Sequence, residues 1–319
     1  MQAMPGRVRS LGVRLGLALL MAACAAAMAG CRLGGADAAA PQRITIVDYN
    51  IFHGLYDEDP APNFDRFQDR LTLIAAELAR MKPDIVVLQE VVLSPPKGYP
   101  DVRATLLAAL GDQYKAIFGE AGSENIDEGT VGRMTLTRLP VVSAANRAVF
   151  QGRSAHRVTV QTKGGVLDIY NVHLEGPELV GQQKLEITKL LTFIDANGRN
   201  QNPVIVTGDF NSRPGDEAIT AMKDFGFTDV EAQKADVTCN KQGDPGCTHA
   251  TFSRIENMVT APQDARIDYL FAREGADMML SIVDAGPFMN QPQNDAKGAL
   301  LWTSDHIGIQ ATLELSKKK

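Results

Sequence analysis

Residues 203–211 read Pro203-Val204-Ile205-Val206-Thr207-Gly208-Asp209-Phe210-Asn211. A proline opens the string and three apolar β-branched residues, Val204, Ile205 and Val206, follow it. A short continuous apolar run of this kind suits a strand covered on both faces. The strand then delivers a carboxylate and an amide at its end. Gly-Asp and Asn-Ser strings are also turn-prone, but the apolar strand feeding into this one argues for a chemical use. Five further strings repeat the arrangement: Tyr49-Asn50, Gln89-Glu90, Asn171-Val172-His173, Arg266-Ile267-Asp268-Tyr269 and Ser304-Asp305-His306. Together they read as one site assembled from distant segments, with carboxylates for a hard divalent cation and amides and histidines for an anion.

Periodicity supplies the scaffold. Strands are expected over Arg43–Asp48, Asp84–Leu88, Met134–Thr137, Val141–Phe150, His156–Gln161, Val166–Asn171, Val204–Val206, Arg266–Ala272, Met278–Asp284 and His306–Leu315. Helices are expected over Phe64–Met81, Val102–Leu110, Glu178–Asn197 and Asp216–Phe225. Two stretches echo each other as strand, Asn, helix, apolar strand, acid. One runs from Asn50 to Glu90 and the other from Asn171 to Asp209. Such a pair predicts two strand–helix–strand units related by a pseudo-twofold, packed as two sheets with helices outside.

Residues 1–30 read as an export address. Arg7, Arg9 and Arg14 form a basic start, and the uncharged Leu15–Gly30 run is short for a membrane span. Met28-Ala29-Gly30-Cys31 resembles a bacterial lipobox with Met28 in the usual Leu position, so Cys31 is the expected lipid attachment point. Cys24 is a second candidate, and cleavage near Ala38 or Ala40 is the alternative that leaves a secreted protein. The expectation is an exported chain, periplasmic or at the cell surface as a lipoprotein, otherwise secreted. Residues 31–42 form a tether, 43–315 the working domain and 316–319 a basic tail. Without residues 1–30 the chain holds 29 basic and 38 acidic residues, a formal charge of −9. That balance disfavours a long polyanion as partner. Cys239 and Cys247 flank a polar loop. A local disulfide suits an oxidising compartment, with a zinc site or two free thiols as alternatives.

The order and identity of the six strings resemble the endonuclease/exonuclease/phosphatase superfamily over roughly Arg43–Leu315. This is the group of pancreatic-type deoxyribonucleases, abasic-site endonucleases, inositol-polyphosphate 5-phosphatases and bacterial sphingomyelinases. The resemblance implies an α/β fold, a four-layer α/β/β/α sandwich of two packed mixed β-sheets with outer helices and the site at the sheet edges. It implies Mg2+ (or Mn2+) on Glu90, with Asn50 and Asp305 on the metal side. His306, fixed in one tautomer by Asp268, would serve as base. Asp209 would orient the water, His173 would meet charge on the phosphoryl oxygens as cation or donor, and Asn211, Asn171 and Arg153 would hold the phosphate. If the local segment is extended, Asp305 points away from its neighbour His306. His53, His156 and His249 gain no support and read as structural or exposed.

The chain departs from the family where many members read Gly-Asn-Ala; here it reads Gly132-Arg133-Met134. The preceding stretch, Glu120–Glu128, reads as an acidic rim loop, a poor match for a duplex. The expected function is therefore hydrolysis of a phosphomono- or diester in a small molecule or lipid head group by direct water attack, by a monomer anchored to a membrane through Cys31. The alternatives are a secreted DNase-like endonuclease, a sphingomyelinase-like phosphodiesterase using Gly286–Trp302 as an apolar hairpin, and a non-catalytic lipid-anchored binding module.

Overall fold

The computed structural model describes residues 40–55, 64–126, 129–150, 153–176, 179–198, 201–231, 246–250 and 265–318. The export address, Cys31 and Cys239 lie outside these residues. Cys247 is disulfide-bonded; its pairing with Cys239 stays an expectation.

Among the described residues the chain forms strands β1 (Gln42–Asn50), β2 (Ile85–Val92), β3 (Lys115–Ile126), β4 (Gly129–Thr137), β5 (Val141–Phe150), β6 (Arg153–Gln161), β7 (Val166–His173), β8 (Val204–Asp209), β9 (Thr228–Asp229), β10 (Asp268–Arg273), β11 (Met278–Phe288), β12 (Gln293–Asn294), β13 (Leu300–Leu301) and β14 (Gly308–Lys317). The helices are α1 (Phe67–Met81), α2 (Val102–Leu110), α3 (Val180–Ala196) and α4 (Glu217–Asp224). Two six-stranded sheets result, in the orders β11-β14-β1-β2-β4-β3 and β5-β6-β7-β8-β10-β9, with a small β12–β13 ribbon.

Alternation along the strands builds the layers. Ile44 and Ile46 of β1 and Ile85 and Val87 of β2 meet Val158, Leu167, Ile169 and Ile205 of the other sheet in one apolar cluster. The opposite faces carry Val47, Tyr49, Val86 and Leu88, which pack with Leu71, Ile74 and Leu78 of α1 and Val102 and Leu106 of α2. On the second sheet Tyr170, Val206 and Phe271 pack with Ile187, Leu190 and Ile194 of α3 and Ile219 and Met222 of α4. The expected four-layer sandwich is present. Burying each of these large apolar side chains contributes roughly 1.5–3 kcal/mol. α1 ends where Lys82 takes a left-handed conformation and donates its N–H to Leu78 O at 2.8 Å, just before Pro83.

The echo is also present. β1 and β2 run parallel between antiparallel β14 and β4, as β7 and β8 run parallel between antiparallel β6 and β10. Its register differs from the sequence reading. Asn50 lies opposite Gln89, whereas Asp209 lies opposite His173, and Asn171 faces Thr207.

Two elements depart from expectation. Lys115–Ile126 forms edge strand β3, so the supposed acidic loop is largely a strand. Gly119 and Gly122 weaken its alternation, and the β3–β4 pairing, irregular between Gly119 and Glu124, orders it instead. The final strand starts at Gly308, because His306 bridges to His249.

Gly208 fixes how closely β7 and β8 approach at the site. Its φ is 141°, and a Cβ there would stand 2.0 Å from Val172 O. Gly208→Ala is expected to lower stability by about 3 kcal/mol in urea unfolding. An unchanged midpoint would mean that the strand pair gives way at no cost.

Candidate active site

The inter-sheet space is apolar at one end and polar at the other. Along β7 the inward residues are Leu167, Ile169, Asn171 and His173; along β8 they are Ile205, Thr207 and Asp209. The polar ends of β1, β2, β7, β8 and β10 therefore converge. They open into a cavity of about 300 Å³ lined by His53, Glu90, Val131, Arg153, His173, Glu175, Gly176, Asp209, Asn211, His249, Ile267, Asp305 and His306.

Asn50 is fully buried at the centre. Its Nδ2 donates to Glu90 Oε1 and to Asp209 Oδ2, both at 3.1 Å, while its Oδ1 accepts the Phe52 N–H at 3.0 Å. Glu90 reaches this point through a backbone irregularity. The β2–β4 register shifts between Leu88 and Val91, and Glu90 has φ 56°. Such a bulge re-aims a side chain at a cost of roughly 1–3 kcal/mol. Glu90 Oε2 also accepts the His53 N–H at 3.1 Å. His53 Nδ1 accepts the Leu55 N–H at 2.9 Å, so its Nε2, 3.6 Å from Glu90, carries the proton of the neutral ring.

His306 Nδ1 lies 2.8 Å from Asp268 Oδ2. This contact places the Nδ1 proton on the carboxylate side and leaves Nε2 directed into the pocket, 3.7 Å from Asp209 Oδ2 and 3.8 Å from Asp305 Oδ1. His173 Nε2 is 3.6 Å from the same Asp209 oxygen. Asp209 Oδ1 accepts the Asn211 N–H at 2.8 Å, and Asn211 Nδ2 donates to Leu174 O at 3.0 Å.

Charge and burial act against each other here. Burial and Asp268 push Asp209 up to about 7. Burial, with the Glu90 charge added, pushes Asp305 up to about 6. Burial also pushes Glu90 upward, but His53, His306, the His53 N–H and the Asn50 amide outweigh it and hold Glu90 below the usual carboxylate value. Burial would lower His306, yet Asp268, Asp305 and Asp209 raise it well above the usual imidazole value. His173 is held well below that value by burial and by Arg153 and Arg133.

The sequence reading thus brings Glu90, Asn50, Asp209, Asp268, Asp305, His306, His173, Asn211 and Arg153 to one place. Two details need correction. Asn171 is not at the pocket. It sits one inward step deeper than His173, and its amide is consumed by Leu88 O, Met134 O and Gln89 Nε2 at 3.0, 3.2 and 3.0 Å. Asp305 does not point away from His306, because the segment bends and Ser304 Oγ turns toward Asp305 Oδ1 at 3.3 Å. Of the two roles expected for His173, cation or donor, burial with Arg153 and Arg133 favours the donor.

His53 and His249 line the pocket although the sequence marked neither as a site residue. Both are isolated histidines in loops, where periodicity carries no signal. His156 is a fully buried core residue, as expected. Arg133 is buried and donates to Ser154 Oγ at 2.6 Å, so the departure from Gly-Asn-Ala buries a guanidinium whose charge helps to lower His173. Arg153 pairs with Glu175 at 3.1 Å on the pocket wall.

A search of curated proteins finds no match. Among solved structures, a mannosyl-6-phosphatase of Bacteroides thetaiotaomicron aligns with TM-score 0.64 at 17% identity, covering 85% of this chain and 99% of that one. An endonuclease/exonuclease/phosphatase from Beutenbergia cavernae gives 0.61 at 22%, covering 86% and 72%. TDP2 of D. rerio, complexed with a single-strand DNA product, gives 0.60 at 19%, covering 85% and 99%. These likenesses show the fold. The model of the Endonuclease/Exonuclease/phosphatase family matches residues 49–306. Because that span runs from the tyrosine before Asn50 to His306 itself, it takes in every pocket residue above, and the chain belongs to the Endonuclease/Exonuclease/phosphatase family.

Proposed function

We propose that the protein is a divalent-metal-dependent hydrolase that attacks a small phosphorylated compound or a lipid head group directly with water. Members of the family are in general metal-dependent hydrolases of phosphoesters. The observation that carries the reading is the Asp268–His306 contact at 2.8 Å, with Nε2 free toward Asp209.

A hard cation fits the site. Glu90 and Asp305 are carboxylates facing one pocket, and the charge of each raises the cost of ionising the other. Arg153 is the one Lys or Arg among the described lining residues, and it is paired with Glu175. Oxygen donors of this kind suit Mg2+ or Mn2+, with Glu90 and Asp305 as holders and the Asn50 amide orienting Glu90. When bound, the cation would polarise the phosphate and offset its charge.

The chain's own residues account for the proton and the orientation. A water roughly 2.8 Å from both His306 Nε2 and Asp209 Oδ2 is within hydrogen-bond reach of each. Asp209 would orient it. His306 would take its proton as the oxygen–phosphorus bond forms and the bond to the leaving oxygen breaks. Asp268 would hold the resulting imidazolium. Neutral His173 would donate to a phosphoryl oxygen, and Asn211 would offer its second amide N–H.

The cavity is at the low end for a small-molecule site, and its lining lacks the row of cations that a chain of phosphates would call for. The sugar phosphate named for the Bacteroides relative supports a small monoester as fold-level analogy. The sphingomyelinase reading is weakened, because Phe288, Met289 and Leu301 of the hairpin are buried and Leu300 alone is well exposed. Export with a lipid on Cys31 belongs to the same proposal. Cys31→Ala would release the protein from the membrane fraction, and unchanged partition would remove that part.

A panel of phosphomonoesters, phosphodiesters, sphingomyelin and plasmid DNA, assayed with magnesium and then with chelator, tests the reaction. Small esters are expected to be hydrolysed only with metal, and His306→Ala to lose about 10²–10⁴-fold in kcat. Fastest cleavage of plasmid DNA, with steep salt dependence, would overturn the substrate class. Glu90→Gln is expected to raise the magnesium needed for half-activation at least about tenfold.

The pH profile follows from His306. Its folded value is raised, so the neutral base becomes abundant only above the usual imidazole value of 6.5. Activity should therefore climb on the alkaline side. Asp268→Asn removes the largest raising influence, so the rising limb should move to lower pH while kcat drops by about 10²–10⁴-fold. A limb that stays in place would exclude His306 as the titrating base.

A further inference from the structure

Donor atoms of His249, Asp305 and His306 lie within 4.8 Å of one another. His306 Nε2 and Asp305 Oδ1 are 3.8 Å apart. Ligands of a tetrahedral zinc ion, each at about 2.0–2.1 Å, stand roughly 3.4 Å from one another. Small side-chain rotations therefore close the triangle. The donor set differs in kind from the one assigned to magnesium: two imidazole nitrogens and one carboxylate suit zinc, cobalt or nickel, whereas magnesium takes oxygen. Three protein ligands also leave a fourth position for water or a phosphate oxygen.

Two independent features prepare these residues as ligands. First, Asp268 already fixes Nδ1 of His306, the carboxylate–imidazole arrangement that orients ligating histidines. Second, the segment carrying His249 is fastened on both sides. His249 bridges Ala265 and His306, the Ala250 N–H donates to Asp305 O at 3.1 Å, and the Ile307 N–H donates to Thr248 O at 2.6 Å. The two imidazole rings stand 4.8 Å apart at 58°. With backbones tied, binding an ion orders little further chain.

We propose that His249, Asp305 and His306 form a zinc-type site whose occupation stops hydrolysis by capturing the Nε2 lone pair of His306. Zinc there would take Asp305 from magnesium and the base from the water at one stroke. The inhibition rests on the proposed function; the binding does not.

The test titrates the full chain with Co2+ in excess Mg2+, following visible absorption of the bound ion. One equivalent should bind, survive the magnesium and be displaced by zinc. His249→Gln should weaken binding at least about tenfold, while His249→Cys, which supplies a thiolate, should retain it and add a thiolate-to-cobalt band. In hydrolysis assays, zinc should inhibit, and the half-inhibiting concentration should rise about tenfold in His249→Gln relative to that variant's own zinc-free rate. Cobalt absorption unchanged in a folded His249→Gln, cobalt lost from a folded His249→Cys, or cobalt displaced by magnesium would each overturn the site. If no phosphoester is hydrolysed at all, the proposed function falls and the cobalt titration still decides this inference.

Discussion

One amide ties the two sheets together where the chemistry lies. Asn50 uses both hydrogens of its Nδ2 on carboxylates from different sheets, Glu90 on one side and Asp209 on the other. The Phe52 N–H on Oδ1 and the two carboxylates on Nδ2 leave one orientation for the amide. Buried carboxylates this close repel one another, and desolvation raises the cost of keeping them charged. A neutral double donor between them lowers that cost without adding charge. The same Asp209 oxygen that accepts from Asn50 faces His306 and His173 at similar distances, while its other oxygen accepts the Asn211 N–H. The positions of both imidazoles and of Glu90 are thus referred to a single side chain at the end of β1.

The polar layer continues inward. Gln89 donates to Asp48 Oδ1 at 2.9 Å and to Asn171 Oδ1 at 3.0 Å, so the sheets are linked again one step deeper. Asp48 is pushed well up by burial and by Asp268, which favours its neutral form. The inter-sheet space thus passes from aliphatic packing, through neutral amides and acid, to ionised groups at the mouth. That order matches the falling cost of charge as solvent is approached.

Much of this was legible in the sequence, for physical reasons. Apolar runs such as Ile85–Leu88 and Val204–Val206 mark strands covered on both faces, and an acid at the end of such a run has few uses other than a site. Glu90 and Asp209 are readable in this way, whereas Asp268 and His306, which precede or open their strands, take their roles from the family resemblance. Register was not legible. The echo suggested Asn171 as the counterpart of Asn50, but the side-chain period of two and the β7–β8 pairing bring His173 opposite Asp209 and leave Asn171 buried behind it. The bend at Ser304–His306 was hidden because extended geometry is the default reading of a strand start. His249 depends on where its loop returns in space, and no local pattern encodes that; His53 stands three residues past Asn50, so its nearness to the site is visible in the sequence although its role is not. Strand β3 was missed because its glycines erase the alternation, while its order comes from the partner strand.

Arg70 gives the site a collective character. It is fully buried on α1, and its guanidinium donates to Asp65 O at 2.9 Å, Ile51 O and Thr303 O at 3.0 Å each, and Phe52 O at 2.9 Å. The first two residues after Asn50 and the residue before Ser304 are thereby attached to one planar group. Neither loop can peel away alone without stranding that cation in an apolar interior. Opening fluctuations there involve the helix and both loops as a single cooperative segment, in the manner of a foldon. Ligands arriving from separate parts of the chain would then be presented or withdrawn as a set.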